Sequence, residues 1–141
     1  MGRILGIDHG DSRIGLSLSD PLHMIASPFR TISARAGGAV MHLLQEIITE
    51  NDVEKIVLGY PRGMKNQITA RTRIVEQFAV ELKTLGIPVI LEDERLSTVS
   101  AIKALIQQNV KTGHKKGLVD QTAAAIILQQ FLDRPLRPDA E

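Results

Sequence analysis

Acidic side chains stand at three separated points of the chain where elements of structure are expected to end or begin. Asp8 closes an apolar, strand-like run, the segment Glu92–Glu94 closes another, and Asp120 opens the last predicted helix. In an open α/β sheet, functional groups gather beyond the carboxyl ends of the parallel strands. Carboxylates brought together repel one another unless cations neutralise them, and hard oxygen ligands select Mg²⁺ or Mn²⁺. Two such ions, about 3.5–4 Å apart, can activate water and stabilise the leaving oxygen of a phosphodiester.

Each of these acids also has an ordinary structural explanation when it is considered alone. An aspartate after a strand often forms a turn by hydrogen bonding to nearby backbone, which would account for Asp8. An acid near a helix start favours the positive end of the helix dipole, which would account for Asp120. The acidic group at the end of the fifth strand is also consistent with a solvated strand end. Their expected convergence at one edge of the sheet favours a shared site.

The elements that must position these acids alternate in the manner of a mixed α/β protein. Strands are predicted at 3–8, 13–19, 29–33, 55–59 and 88–93, and helices at 39–51, 67–85, 97–107 and 119–132. Short connections between the first three strands allow antiparallel pairing, whereas intervening helices imply parallel, right-handed crossovers between the later strands. The sequence therefore predicts a five-stranded mixed sheet with helices on both faces. In the second helix the spacing predicts an inward stripe and a terminating glycine: Ile74, Phe78, Leu82, Leu85 and then Gly86.

Composition limits the class of protein. A chain of 141 residues with 43% hydrophobic content is expected to form one domain, over residues 1–134, with a flexible tail at 135–141. The absence of cysteine excludes disulfides and thiolate metal sites and favours a cytoplasmic protein, and no segment reads as a membrane span. The net charge is only +1 and aromatic residues make up 3%, so any nucleic-acid contact must be a local basic patch rather than a base-stacking surface.

Four ordered blocks of the sequence resemble the signature of the YqgF family. They read GIDHGDSRIGLSLSD, VLGYPRGM, EDERLST and VDQTAAAIIL, and the resemblance extends over the whole chain apart from its tail. Members of this family are Holliday-junction-resolvase-like proteins proposed as nucleases for the 5′ end of pre-16S ribosomal RNA. The resemblance implies a ribonuclease H-like fold with sheet order 3-2-1-4-5. It also implies a hydrolase that cleaves phosphodiester bonds of structured nucleic acid.

The resemblance assigns roles to particular residues. Asp8, Glu94 and Asp120 match the family's presumed catalytic acids and would be the ligands of Mg²⁺ or Mn²⁺. Arg13 and Arg95 match positions where a planar guanidinium can contact phosphate, although either could instead form a salt bridge that orients a site carboxylate. The chain departs from the family pattern after the fourth strand, where Tyr60 replaces a leucine and residues 64–67 lack the usual glycine. Tyr60 could stack on a base or have an ordinary packing role.

Two further features bear on this site. A mobile basic loop that contacts phosphates is predicted at Lys111, His114, Lys115 and Lys116, the alternative being a solvated surface loop.

Glu94 ends a strand that lies two positions away from the strand of Asp8 in the sheet, which is roughly 9–10 Å between backbones. A long glutamate side chain can span part of that distance, and Asp11 or Asp20 could assist or replace it as a ligand.

The substrate and the function class stay open at the level of sequence. Precursor ribosomal RNA is the first expectation and branched four-way DNA the second, with no membrane partner and either a monomer or a homodimer. An actin-like or sugar-kinase-like ATPase would open with a similar GID-x-G turn, but such proteins normally need two domains to enclose the nucleotide. A non-catalytic nucleic-acid-binding module is the third possibility, and retention of all three acids argues against it.

Overall fold

The computed structural model describes residues 2–35, 39–63, 65–94 and 113–134, and its centre is a five-stranded sheet. The strands are β1 (Arg3–His9), β2 (Arg13–Ser19), β3 (Ala26–Ser33), β4 (Val53–Tyr60) and β5 (Val89–Asp93). Their order across the sheet is β3-β2-β1-β4-β5. β2 pairs antiparallel with both β1 and β3, whereas β1 pairs parallel with β4 and β4 with β5. The expected mixed sheet and its order are confirmed.

Helices cover both faces of the sheet, as the sequence predicts. α1 (Ala39–Glu50) and α2 (Ala70–Leu82) pack on the face that carries Leu5 and Ile7 of β1, and α3 (Gly113–Leu132) packs on the face of Ile4. Because β1 and β4 are central and covered on both sides, their sequences are almost continuously apolar. No helix within the described ranges is long and apolar enough to cross a membrane.

α2 begins three residues later than predicted, and one of its predicted inward positions is wrong. The side chain of Thr69 accepts a hydrogen bond from the backbone N–H of Thr72, and Thr72 accepts one in return from Thr69, which forms a capping box. Phe78 and Leu82 are buried, as predicted. Val75 is also buried and Ile74 is 46% exposed, so the predicted inward position of Ile74 is wrong. Gly86, with a φ of 86°, ends the short 3₁₀ turn that follows α2, as predicted.

The last helix begins earlier than predicted. Its first residue is Gly113, so the backbone of residues 113–117 is helical and the predicted loop is wrong for this part of the chain. Asp120 therefore lies about two turns inside α3 rather than at its start, too far along for the dipole of the first turn to explain it. The predicted helix at 97–107 and the tail at 135–141 lie outside the described residues.

Candidate active site

The site is built around Asp8, near the carboxyl end of the central strand β1. This residue is only 5% exposed. Side chains alternate along a strand, so Asp8 shares a face with Ile4 and Gly6, the face that α3 covers. Burial on a central strand, which pairs with β2 at this residue, gives the carboxylate a rigid support.

Asp120 reaches Asp8 through a glycine on the neighbouring strand. Gly15 of β2 pairs directly with Asp8. A Cβ atom added to Gly15 would lie 2.1 Å from the carbonyl oxygen of Asp120 and 2.9 Å from its Cβ, so the helix backbone rests on the strand where only glycine leaves room. Paired residues have Cβ positions about 4.5–5.5 Å apart, which places the Cβ atoms of Asp8 and Asp120 within about 8 Å of each other.

Glu94 approaches Asp8 from the opposite side, over a second glycine. The pairing of Ile7 with Leu58 places Gly59 of β4 beside Asp8. A Cβ atom added to Gly59 would lie 3.1 Å from Oε1 of Glu94, so this carboxylate reaches back over β4 although its backbone follows β5. The separation of two strands between the backbones therefore overstates the separation of the carboxylates.

Arg13 holds Asp120 in place. Its Nε donates to Oδ2 of Asp120 across 2.6 Å, and the aspartate side chain is 12% exposed. Of the two readings of Arg13 that the sequence allows, this contact corresponds to the salt bridge that orients a site carboxylate. Contact of Arg13 with phosphate stays a prediction.

The donor chemistry of this edge suits a hard divalent cation, since Asp8, Glu94 and Asp120 offer only carboxylate oxygens. Within residues 2–35, 39–63, 65–94 and 113–134, however, no three His, Cys, Asp or Glu side chains already stand together as a metal site. One oxygen of Asp120 is engaged by Arg13. The three acids are thus neighbours on one surface, and their role as a shared ligand set stays a prediction.

The two alternative ligands have other contacts. Asp20 follows the far end of β2, at the opposite edge of the sheet, where its carboxylate accepts hydrogen bonds from the backbone N–H groups of Leu22, Met24 and Ile25. Asp11 lies in the turn after β1 and pairs with Arg71 across 2.7 Å. Asp20 is therefore too far from Asp8 to replace Glu94.

Arg71 contacts this site, although no motif or spacing in the sequence points to it. From the first turn of α2 it donates to Asp11, to the carbonyl oxygen of His9 and to Nδ1 of His9, so it fastens the turn after β1. The His9 ring packs on Phe78 with centroids 4.4 Å apart, on the face away from Asp8, as strand alternation predicts. Burial, and then the charge of Arg71, lower the pKa of His9. The partners of Arg71 are about 60 residues away in sequence, and no spacing pattern indicates them.

The other residues predicted to contact nucleic acid lie only partly within the described part of the chain. Arg95 and Lys111 lie outside the described residues, as do the side chains of His114, Lys115 and Lys116. Tyr60 is half-buried against the core and donates to Glu76 across 2.6 Å, with the guanidinium of Arg62 5.8 Å from its ring centroid. These contacts correspond to a packing role for Tyr60 rather than stacking on a base.

Comparison with known proteins places the chain in a family. The family described as RuvX, Holliday junction resolvase, matches residues 2–134. A Ruminiclostridium cellulolyticum protein named "Putative pre-16S rRNA nuclease" is 44% identical over 135 residues, covering 94% of each chain. A protein of the same name from Roseiflexus sp. is 39% identical over 133 residues, again covering 94% of each.

The fold has counterparts among solved structures. T. thermophilus RuvC in complex with Holliday junction substrate aligns with a TM-score of 0.57 and 14% identity over 94% of this chain and 97% of that chain. A second Thermus thermophilus RuvC structure aligns with a TM-score of 0.53 and 13% identity over 92% and 93% of the two chains. At such identities the likeness shows a shared fold, which confirms the expected ribonuclease H-like class. The chain belongs to the RuvX (YqgF) family, the family that its four sequence blocks resemble, and the expectation of a nuclease is confirmed.

Proposed function

We propose that this protein is a divalent-metal-dependent nuclease that processes the 5′ end of precursor 16S ribosomal RNA. The observation that carries the proposal is the arrangement around Asp8, whose two strand neighbours are Gly15 and Gly59. The backbone of Asp120 fills the space over the first glycine and the carboxylate of Glu94 the space over the second. Acids from β1, the end of β5 and α3 thereby lie on the same face of the sheet, which supports a shared site.

Asp8, Glu94 and Asp120 would hold the Mg²⁺ or Mn²⁺ ions. When bound, such ions supply Lewis-acid stabilisation of the charge that develops on phosphate and lower the pKa of water. The chain contributes the placement of its acids. β1 fixes Asp8 in a buried position, and Arg13 restricts the side chain of Asp120 by holding Oδ2. Such preorganisation removes the cost of collecting like charges when substrate and metal arrive.

The choice of RNA as substrate rests on the names of the relatives, which refer to pre-16S rRNA. A second candidate substrate is a four-way DNA junction, because the matching family is described as a Holliday junction resolvase. Both substrates are structured nucleic acids cleaved at a phosphodiester, so the same acids would serve either reaction.

The test compares cleavage of a model RNA carrying the 16S 5′ leader with cleavage of a model four-way junction, in Mg²⁺ and in Mn²⁺. The parent, Asp8→Asn and Asp52→Asn are assayed together. Asp52 is an exposed residue before β4 with a φ of 52°, a conformation that asparagine tolerates, so it controls for loss of one charge at the opposite edge of the sheet.

We expect Asp8→Asn to lower the rate at least about 100-fold, since loss even of an outer contact of a metal site costs about 10–100-fold. Asp52→Asn should match the parent. Equal residual activity in the parent and in Asp8→Asn would show that the site is wrong. Cleavage of the junction but not the RNA would favour the second substrate, and binding without cleavage in either metal would favour a non-catalytic module.

A further inference from the structure

Glu92 is an acid of the fifth strand that the proposed chemistry does not use, and it is fully buried. Its side chain is 0% exposed. Oε2 accepts from Nη2 of Arg134 across 2.7 Å and from Nε2 of Gln130. The same Gln130 nitrogen lies 3.3 Å from the carbonyl oxygen of Asp93. Glu92, Gln130 and Arg134, here called the β5–α3 brace, connect the end of β5 to the last turn of α3 and the residues after it.

Burial of the Glu92 carboxylate is costly for a merely structural contact, and its cationic partner Arg134 stays 37% exposed. Well-packed apolar residues of similar volume often stabilise a fold as well as a buried ion pair does, or better. The other carboxylate oxygen, Oε1, has no hydrogen-bond partner in the structure as described, so its desolvation is not compensated there. A buried charged group can instead specify one alignment of the two elements that it joins.

The two elements joined by the brace are the ones that carry site acids. Glu94 follows Glu92 by two residues, and Gln130 contacts the peptide directly before Glu94. Asp120 lies on the same helix as Gln130. The last register pair of β5 is Asp93 with Tyr60, so Glu94 directly follows the final ladder pair of this strand. The hydrogen bond from Gln130 therefore acts on the last paired residue, directly before Glu94.

We propose that Glu92 is a positioning residue: with Gln130 and Arg134 it aligns β5 against α3 and so keeps the carboxylate of Glu94 over Gly59, beside Asp8. This inference rests on the proposed function for its catalytic consequence. Its structural part, the alignment of β5, does not depend on any metal or substrate.

The test uses the full chain with Glu92→Met, which removes both acceptor oxygens at similar length, and Glu92→Gln, which keeps one. Three quantities are measured: amide hydrogen exchange of Asp93 and Glu94 without metal, Mn²⁺ affinity by calorimetry without nucleic acid, and kcat with KM for the cleaved substrate. Ile4→Val serves as a control, because it thins the packing of α3 at the distant end of β1.

We expect Glu92→Met to speed amide exchange at Asp93 and Glu94 and to weaken Mn²⁺ binding about 10–100-fold. The value of kcat should fall, and KM should stay near that of the parent. Glu92→Gln should stay within a few-fold of the parent, and Ile4→Val should leave Mn²⁺ affinity unchanged. Unchanged exchange and affinity in Glu92→Met would overturn the inference. A second result would also overturn the inference: the same loss of Mn²⁺ affinity in Glu92→Gln and Glu92→Met, with amide exchange unchanged in Glu92→Gln. The loss of affinity would then come from the missing negative charge and not from a change in the alignment of β5.

Failure of the proposed function would look different. In that case the parent itself would neither bind Mn²⁺ nor cleave either substrate. The exchange rates of Asp93 and Glu94 would still report whether the brace aligns β5.

Discussion

Asp120 rests on Gly15 so closely that a methyl group at Gly15 would lie 2.1 Å from the carbonyl oxygen of Asp120. The neighbouring atoms belong to the helix backbone, which cannot move aside as the end of a side chain can. Since Gly15 also pairs with Asp8, one contact sets both the height of α3 over the sheet and the distance between two site acids.

Gly15→Ala is therefore expected to weaken both folding and activity. Forcing a methyl group into this contact should lower the free energy of unfolding by about 1–3 kcal/mol, the usual cost of overpacking. The displaced helix should also separate Asp120 from Asp8 and reduce cleavage. Denaturant unfolding and the cleavage assay measure the two effects.

Gly117→Ala is the matched control for that substitution. A Cβ atom there would meet Thr31 at an ordinary 3.5 Å, and alanine is favoured over glycine inside a helix by about 1 kcal/mol. The control should be as stable as the parent or more so. A Gly15→Ala protein with parental stability and activity would contradict the close contact of α3 with β2.

Gly59→Ala should separate activity from stability. The atoms nearest to an added methyl group are Oε1 of Glu94 at 3.1 Å and Cδ1 of Ile127 at 2.8 Å, both at the ends of side chains that can rotate. We expect a stability change below about 1 kcal/mol, because the lower entropy of the unfolded chain offsets part of the crowding. Cleavage should fall, because the carboxylate of Glu94 has to shift from its place beside Asp8. Full activity in a folded Gly59→Ala protein would exclude Glu94 from the site.

The substitution Arg13→Met should show whether Arg13 acts by orienting Asp120 or by contacting the phosphates of the substrate. If the 2.6 Å contact with Asp120 is the working role of Arg13, kcat falls while nucleic-acid affinity and its salt dependence stay parental. A phosphate contact would instead weaken binding and reduce the slope of log K against log salt by about 1. We expect the first result, measured by single-turnover cleavage and by titration of labelled RNA at several salt concentrations. A reduced salt slope with unchanged kcat would reverse the assignment.

The sheet could be predicted from sequence because its strands are apolar runs bounded by turns, and the four family blocks fix their order. The early start of α3 could not be predicted, because residues 113–117 contain no apolar residues at the spacing that indicates a helix face. The inward face of α2 was predicted correctly at Phe78 and Leu82 but not at Ile74. Ile74 and Val75 are adjacent apolar residues, and either one continues the helical spacing back from Phe78, so the pattern does not decide between them.

The site was predictable in its acids but not in its geometry. From strand spacing, the backbones of Glu94 and Asp8 are expected to be far apart. Only the structure shows that the carboxylate of Glu94 lies over Gly59, the strand neighbour of Asp8. The pairing of Arg13 with Asp120 joins residues 107 positions apart, and the sequence did not decide between its two roles. The sequence was consistent with Glu92 as an acid of a solvated strand end, whereas in the structure α3 packs over Glu92 and buries it completely.

Tyr60 offers a spectroscopic test of the contacts at the end of β4, because the chain has one tyrosine and no tryptophan. Its hydroxyl donates to Glu76, and this hydrogen bond, followed by burial and the negative charge of Glu76, raises the pKa of Tyr60 above its ordinary value. The raised pKa means that folding favours the neutral phenol. The resulting stabilisation is fully present below about pH 10 and is lost as the pH rises through the folded-state pKa.

We expect the phenolate absorbance of the folded parent to titrate with a midpoint above that of the unfolded chain. Glu76→Ala removes both the acceptor and the charge, so its midpoint should move down towards the ordinary value. Glu81→Ala, on the exposed side of α2, controls for loss of a carboxylate from the same helix and should leave the midpoint in place. A parental midpoint at or below that of the unfolded chain would show that Tyr60 is not bonded to Glu76 in solution, and its ring would then again be a candidate for stacking on a base.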